Sequence, residues 1–251
     1  MARQKGIIKL KGTMGDITFY RTSDGYMARE KGGISAERMR TDPAFQRTRE
    51  NMAEFGRAGK AGKVLRGSLQ KLVATASDRR MVSRLTKEMV TVIQMDAVNP
   101  RGQRNVIDGE AELLTGFDFN ISGKLSTTLL VPYESSLVRA TGEATVSIPA
   151  YDPQISIAGP AGSTHYQIVS GAASVDFEKE RFKSSTTNTD ILPIDGVTTV
   201  PMELENVIPI NSTHPLFMVL GISFYQEVNG TYYPLKNGSF NALQIIEVSG
   251  L

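Results

Sequence analysis

From Glu110 onward the sequence is a succession of short β-branched and aromatic runs, cut at close intervals by Gly, Pro, Asn and Asp. Nothing else in the chain constrains its fold as strongly. Evenly spaced runs with turns between them pack as antiparallel sheets, in a sandwich or a barrel. The runs predict strands near 112–119, 125–132, 143–149, 154–158, 164–169, 173–177, 197–205, 216–228 and 241–248. Asn229-Gly230 is the strongest hairpin mark, because both residues tolerate the positive φ of a type I′ turn.

The part before Glu110 reads differently. Residues 6–30 predict a small β-meander: Gly6–Lys11, then Asp16–Arg21 after a Gly12–Gly15 turn, then Tyr26–Arg29 after Ser23-Asp24-Gly25. Three such strands are not stable alone and must pack on this chain or on another copy. Asp42-Pro43 is a side-chain cap followed by proline at a first helical position. The pattern Phe45, Met52, Phe55, Val64-Leu65, Leu69, Leu72-Val73 then predicts a helix from Ala44 to about Thr75. Gly56, Gly59 and Gly62 fall inside it, at about 1 kcal/mol each relative to Ala. They predict either a break or a very close approach of another backbone. A second helix is expected from about Asp78 to Gln94, capped by Ser77 or Asp78. Met81, Leu85, Met89 and Val92-Ile93 lie on one of its faces, and Arg79, Arg80, Arg84 and Lys87 on the other. Residues 98–105 read as a linker.

The 251 residues, 40% of them hydrophobic and 22% charged, suffice for a core, and they exclude wholesale disorder. With no cysteine there is no disulfide, no thiolate chemistry and no Cys-built metal site. The near-neutral total hides an asymmetry: residues 1–110 hold 22 Lys+Arg against 12 Asp+Glu, whereas 111–251 hold 6 against 14. The net charges are therefore +10 and −8. A basic half can hold a polyanion or dock on the acidic half of a neighbouring copy, and a head-to-tail contact of that kind closes a ring or continues as a filament.

The N-terminus lacks the apolar run of a secretory signal, and no window approaches 18 uninterrupted apolar residues. The expectation is a soluble protein, cytoplasmic when made, free or within an assembled particle. The Asn-x-Ser/Thr sequences at Asn120, Asn211, Asn229 and Asn237 read as turn residues rather than glycan acceptors.

Few motifs carry chemistry. Gly56–Val64 resembles a phosphate loop, but five residues separate Gly56 from Gly62 and Val64 stands where a magnesium-binding hydroxyl belongs. Arg47, Arg49, Arg57, Lys60, Lys63, Arg66 and Lys71 form the candidate polyanion or subunit contact. The only aromatics at 31–110 are Phe45 and Phe55, so no stacking platform for single strands accompanies them. His165 and His214 have no metal-ligand spacing, and no Gly-x-Ser-x-Gly elbow is present. Asp176, Glu178 and Glu180 with Glu203 and Glu205 could pair for glycosidic work, but alternating acids more often mark the wet face of a strand.

Lys11-Gly-x-x-Gly-x-Ile-x-Phe-Tyr20, the Asp-Gly hairpin, and Asp42-Pro-x-Phe-x-Arg-Thr-Arg-Glu-Asn51 resemble segments of certain proteins from Bacteroidota and their phages. The likeness covers residues 6–66 and the stretch Phe224–Gly238. It implies a bacterial or phage origin, and no catalytic residue carries over.

The expected fold is α+β: a β-meander arm at 1–41, two basic helices at 42–97, a linker at 98–111, and an Ig-like or jelly-roll-like antiparallel β-sandwich at 112–251. The expected function is non-enzymatic, that of a self-assembling subunit of a virion, tube or filament, built by strand addition and complementary charge. The partner is then a second copy of the chain, with no membrane span, cofactor, metal or small-molecule substrate. The alternative is a nucleic-acid-associated protein that uses residues 42–97.

Overall fold

The computed structural model describes residues 2–30 and 32–250, without the side chains of Lys236 and Asn237; the sequon side chain of Asn237 thus lies outside the described residues. The chain is α+β, with antiparallel sheets throughout, and its contacts divide it into two units, Met1–Arg49 and Glu50–Leu251.

The first unit holds β1 (Ala2–Arg3), β2 (Gly12–Met14), β3 (Ile17–Thr22) and β4 (Gly25–Glu30), in the order β1-β4-β3-β2, followed by α1 (Ala36–Thr41). The hairpin expected at Ser23-Asp24-Gly25 is present, but its turn differs. Only Gly25 has positive φ, at 112°, so the turn is not type I′. Asp42 caps as expected: its carboxylate accepts the Ala44 amide at 2.9 Å, with Pro43 opening a short 3-10 turn, Pro43–Phe45. The Ala44 amide and the Arg38 side chain hold the Asp42 carboxyl below the usual carboxylate range.

In the second unit α2 (Gln46–Ser68, entering from the first unit), α3 (Gln70–Thr75) and α4 (Met81–Gln94) precede the sheets. Strands β5 (Glu134–Val138) and β6 (Glu143–Ile148), β7 (His165–Asp176) and β8 (Arg181–Asn188), β9 (Leu192–Pro193) and β10 (Met202–Val207), and β11 (Leu216–Val228), β12 (Thr231–Pro234) and β13 (Ala242–Ser249) follow. The larger sheet centres on β7 and β11, paired from Leu216↔Ser174 to Tyr225↔His165. β13 and β12 share the outer side of β11, and β8 and β9 share that of β7. The smaller sheet runs β10-β6-β5.

The larger sheet is buried on both faces. Val169, Ala173, Val175, Phe217, Val219, Leu243 and Ile245 pack with Leu65, Leu85, Met89, Val92 and Ile93 of the helices. The alternate residues Tyr166, Ile168, Ala172, Met218, Leu220, Ile222 and Phe224 pack with Val146, Ile148 and Leu204 of the smaller sheet. Burial on two faces is why 216–225 reads as a nearly continuous apolar run instead of alternating.

Helices and sheet therefore share one core, and the boundaries expected at 42, 98 and 112 are not those of the two units. The linker expected at 98–111 is a bonded loop. Buried Asp96 accepts the amides of Val98, Asn99 and Asn105 at 2.8, 2.9 and 3.0 Å. Burial pushes the Asp96 carboxyl up, but these amides and the Asn99 side chain outweigh it and hold it below the usual range. The loop is also tied to α2, through Gly102 N–H to Glu54 and Arg57 to the Arg104 carbonyl.

Several expected elements differ. No break occurs at Gly56, Gly59 or Gly62; α2 ends only at Leu69, with φ −112° and ψ 21°. Nor does another backbone come close at any of the three: a Cβ at Gly56 or Gly59 would meet nothing within 4 Å, and one at Gly62 would meet the Leu85 side chain at 3.6 Å, an ordinary contact. Met52 and Phe55 are exposed, and the buried stripe is instead Glu54, Ala58, Ala61, Leu65 and Ser68, at alternating spacings of four and three. The strand expected at 112–119 is a 3-10 turn, Ala111–Leu114, and a coil that bonds to the edge of β13. Segments 125–132 and 154–158 are single helical turns, α5 (Leu125–Thr128) and α6 (Pro153–Ser156), bridged by Leu129↔Ile157. The runs at 164–169 and 173–177 are one strand, β7. The β5 and β8 strands were not expected.

Candidate assembly surface

Among its described residues the first unit buries no side chain. Its four strands make a complete hydrogen-bonded ladder, from Ala2↔Ala28 through Phe19↔Ala28 to Gly12↔Phe19. Strand alternation puts Met14, Ile17, Phe19 and Ala28 on one face of that sheet, and Tyr20, Met27, Thr18 and Arg29 on the other. Arg29 lies over the Tyr20 ring at 5.4 Å and Arg21 over Tyr26 at 5.6 Å. These contacts cover each face only in part, and a sheet of this size needs a covered apolar face to be stable in water.

The segment Gly6–Lys11, expected as the first strand, forms none. Gln4 gathers it into a loop: its side-chain NH2 donates to the Met27 carbonyl at 3.0 Å, and its side-chain oxygen accepts the Leu10 amide at 2.9 Å. Ile7 and Ile8 at the tip are 102% and 81% exposed. Two adjacent β-branched side chains in open water are where local propensity and the lone chain's structure disagree most.

The seven basic candidates do not form one stripe. A spacing of three residues turns successive side chains by about 60° around a helix. Arg57, Lys60, Lys63 and Arg66 accordingly spiral across half of α2, so that Arg57 and Arg66 point to opposite sides. Arg49 fastens α1, donating to the Met39 and Asp42 carbonyls at 2.9 Å each. Arg57 and Arg66 are spent on the carbonyls of Arg104 and Gly62. Arg47 is exposed, as are Lys60, Lys63 and, on α3, Lys71. Arg57 and Lys60 line a cavity of about 190 Å³ together with Glu178 and Glu180. Arg84, placed by the sequence on the face other than the apolar one, is half-buried and bonds Asp78 and the Asp118 carbonyl.

The acids and histidines are dispersed. Glu178 and Glu180 lie in the β7–β8 turn, whereas Glu203 and Glu205 are exposed on β10. Asp176 accepts the amides of Glu178 and Lys179 and faces the His214 ring at 3.9 Å. The Lys179 amide and the His214 charge keep its carboxyl low. His214 meets Ser212 only through its backbone amide, at 3.2 Å, so Ser212 has no ring nitrogen to act as its base. His165 bonds Thr164 at 2.9 Å, stands 3.6 Å from Glu227, and lies tilted against the Tyr232 ring, 4.7 Å between centroids. Among the described residues no group of three His, Asp or Glu side chains could hold a metal ion. No described helix is long and apolar enough to cross a membrane.

A surface missed in the sequence is the open side of the smaller sheet. Its outer face carries the cross-strand rows Glu134–Ser147–Glu203, Ser136–Thr145–Glu205 and Val138–Glu143–Val207. Four carboxylates stand there with no Lys or Arg on the three strands. The segment Glu134–Val138 gave no strand signal, because its only alternating apolar pair is Leu137 and half-covered Tyr133. Comparison of the chain with protein-family models, curated proteins and solved structures found no match.

Proposed function

We propose that the chain is a non-enzymatic structural subunit that self-assembles through its first unit, as a component of a virion, tube or filament. One observation carries the reading: a four-stranded sheet with a loop of exposed isoleucines and no buried side chain. Such a sheet becomes stable when something covers it. A second copy fits, because the units have opposite charge: residues 1–49 hold 11 Lys+Arg against 5 Asp+Glu, and residues 50–251 hold 17 against 21. Complementary patches on one chain favour head-to-tail contacts that propagate.

The test compares the full chain with one lacking residues 2–49, by sedimentation and thermal unfolding. The shortened chain is expected to sediment as a monomer and to unfold cooperatively, since both large cores lie in 50–251. An assembly of unchanged size after the deletion would contradict the proposal.

A further inference from the structure

The smaller sheet has one closed edge and one open edge. At β10 the Thr187 hydroxyl of β8 reaches the Glu205 carbonyl at 2.5 Å, and Asn206 bonds Ser170 at 3.0 Å. At β5, among the described residues, the backbone groups of Glu134–Leu137 bond only to β6. An edge five residues long is a template for another strand. On its inner side Tyr133 and Leu137 pack on the inner cluster but stay only part-buried.

We propose that residues 7–11 of one copy add antiparallel to the free edge of β5 in a second copy, as the fourth strand of that sheet. This rests on the assembly reading above and names its two surfaces. Both segments are five residues long, and the match extends to each face. Pairing Ile7 with Val138 places Ile8 against Leu137 and Leu10 against Ser135 on the inner side, beside part-buried Leu137 and close to β13. The same register puts Lys9 beside Ser136 and Lys11 beside Glu134 on the outer side, within the field of Glu143, Glu203 and Glu205. A slip of one residue would send Lys9 and Lys11 into the core, so the pattern fixes the register. The occupant is a β-prone segment that Gln4 holds through Lys9 and Leu10 and whose Ile7 and Ile8 side chains the isolated chain leaves in water.

The chain has no cysteine, so two can be placed without interference. An Ile8→Cys chain is mixed with a size-tagged Leu137→Cys chain under mild oxidation, using Ile8→Cys with exposed Ile155→Cys as control. A hetero-linked band at least about fivefold above control is expected, since directly opposed strand residues lie within disulfide reach. Leu10→Cys with Ser135→Cys repeats the test if Leu137→Cys does not fold. Separately, Lys11→Glu should weaken association about fivefold or more, and Glu134→Lys in the same chain should restore it. Assembly with no cross-link above control for either pair would overturn this assignment and leave the assembly reading standing. A purely monomeric protein would overturn both. A chain carrying both Ile8→Cys and Leu137→Cys that links only within itself would also overturn the assignment, because the contact would then be internal.

Discussion

Replacing Gly56 and Gly59 by alanine should stabilise the second unit. Both glycines lie inside α2, with φ outside the left-handed region, and an added Cβ would meet nothing within 4 Å at either. Alanine is better than glycine in a helix interior by about 0.8–1.0 kcal/mol, mostly because the unfolded chain has less freedom to lose. The double variant should therefore gain about 2 kcal/mol. For a domain of this size each kcal/mol moves Tm by roughly 2–4 °C, so a rise of about 4–8 °C is expected. Adding Gly62→Ala should add about 1 kcal/mol more, since its methyl would touch Leu85 at 3.6 Å and Met89 at 3.9 Å, ordinary contact distances. The sign reverses where there is no room. A Cβ at Gly109 would stand 2.5 Å from the Val92 carbonyl oxygen, and one at Gly221 equally close to that of Ala242. Alanine at either should cost about 2 kcal/mol or more. Helicity at 222 nm, followed through urea and thermal melts, reads all four variants. A lower or unchanged Tm for the Gly56/Gly59 pair would refute the reasoning and mean that the helix needs those glycines for a bend or a neighbour.

Arg139→Met should cost about 3 kcal/mol in urea melts, because one guanidinium donates to the carbonyls of Ser212, His214, Ser249 and Gly250. Asp96→Ala should cost a similar amount, about 3 kcal/mol, and speed hydrogen exchange across 98–105, since three amides lose their acceptor. Burial also raises Asp78, but the Ile121 amide, Arg84 and the Arg80 amide outweigh it, so Asp78, Asp96 and Asp176 all titrate below the ordinary range. Their stabilisation is complete above about pH 5 and is lost as the pH falls through their folded values, so the urea midpoint should drop between about pH 5 and pH 2 and drop less in Asp96→Asn. Polyanion binding by the seven candidates, measured against salt, should show a log–log slope no steeper than about −4, for exposed Arg47, Lys60, Lys63 and Lys71.

The strongest periodic signals were legible. Met81, Leu85, Met89, Val92 and Ile93 are all buried on α4, and β11 spans the run read at 216–228. Asn229 and Gly230 turn the hairpin with φ of 53° and 76°. What stayed hidden has physical reasons. Gly171 falls in the gap between the strands read at 164–169 and 173–177, but it lies inside β7, where a Cβ would come 2.8 Å from Leu72 of α3; the glycine lets the helix approach the sheet. The buried stripe of α2 is largely Ala, Gly and Ser, which a search for large apolar residues passes over. That is also why the helices read as a separate segment rather than as a layer on the sheet. β8, Arg-Phe-Lys-Ser-Ser-Thr-Thr-Asn, is an exposed edge without apolar alternation. The meander was legible as β structure, but its lack of a core shows only in three dimensions. The basic residues were legible by number, not by direction: a three-residue repeat cannot make a stripe on a helix of 3.6 residues per turn.

The native mass of the full-length protein tests the central claim most directly, by light scattering across a range of concentrations and at low and moderate salt, with negative-stain images of the same samples. The account predicts a mass well above the 27.4 kDa of one chain, growing with concentration and persisting in moderate salt, with rings, tubes or fibres in the images. A single 27.4 kDa species at every concentration and salt would contradict it.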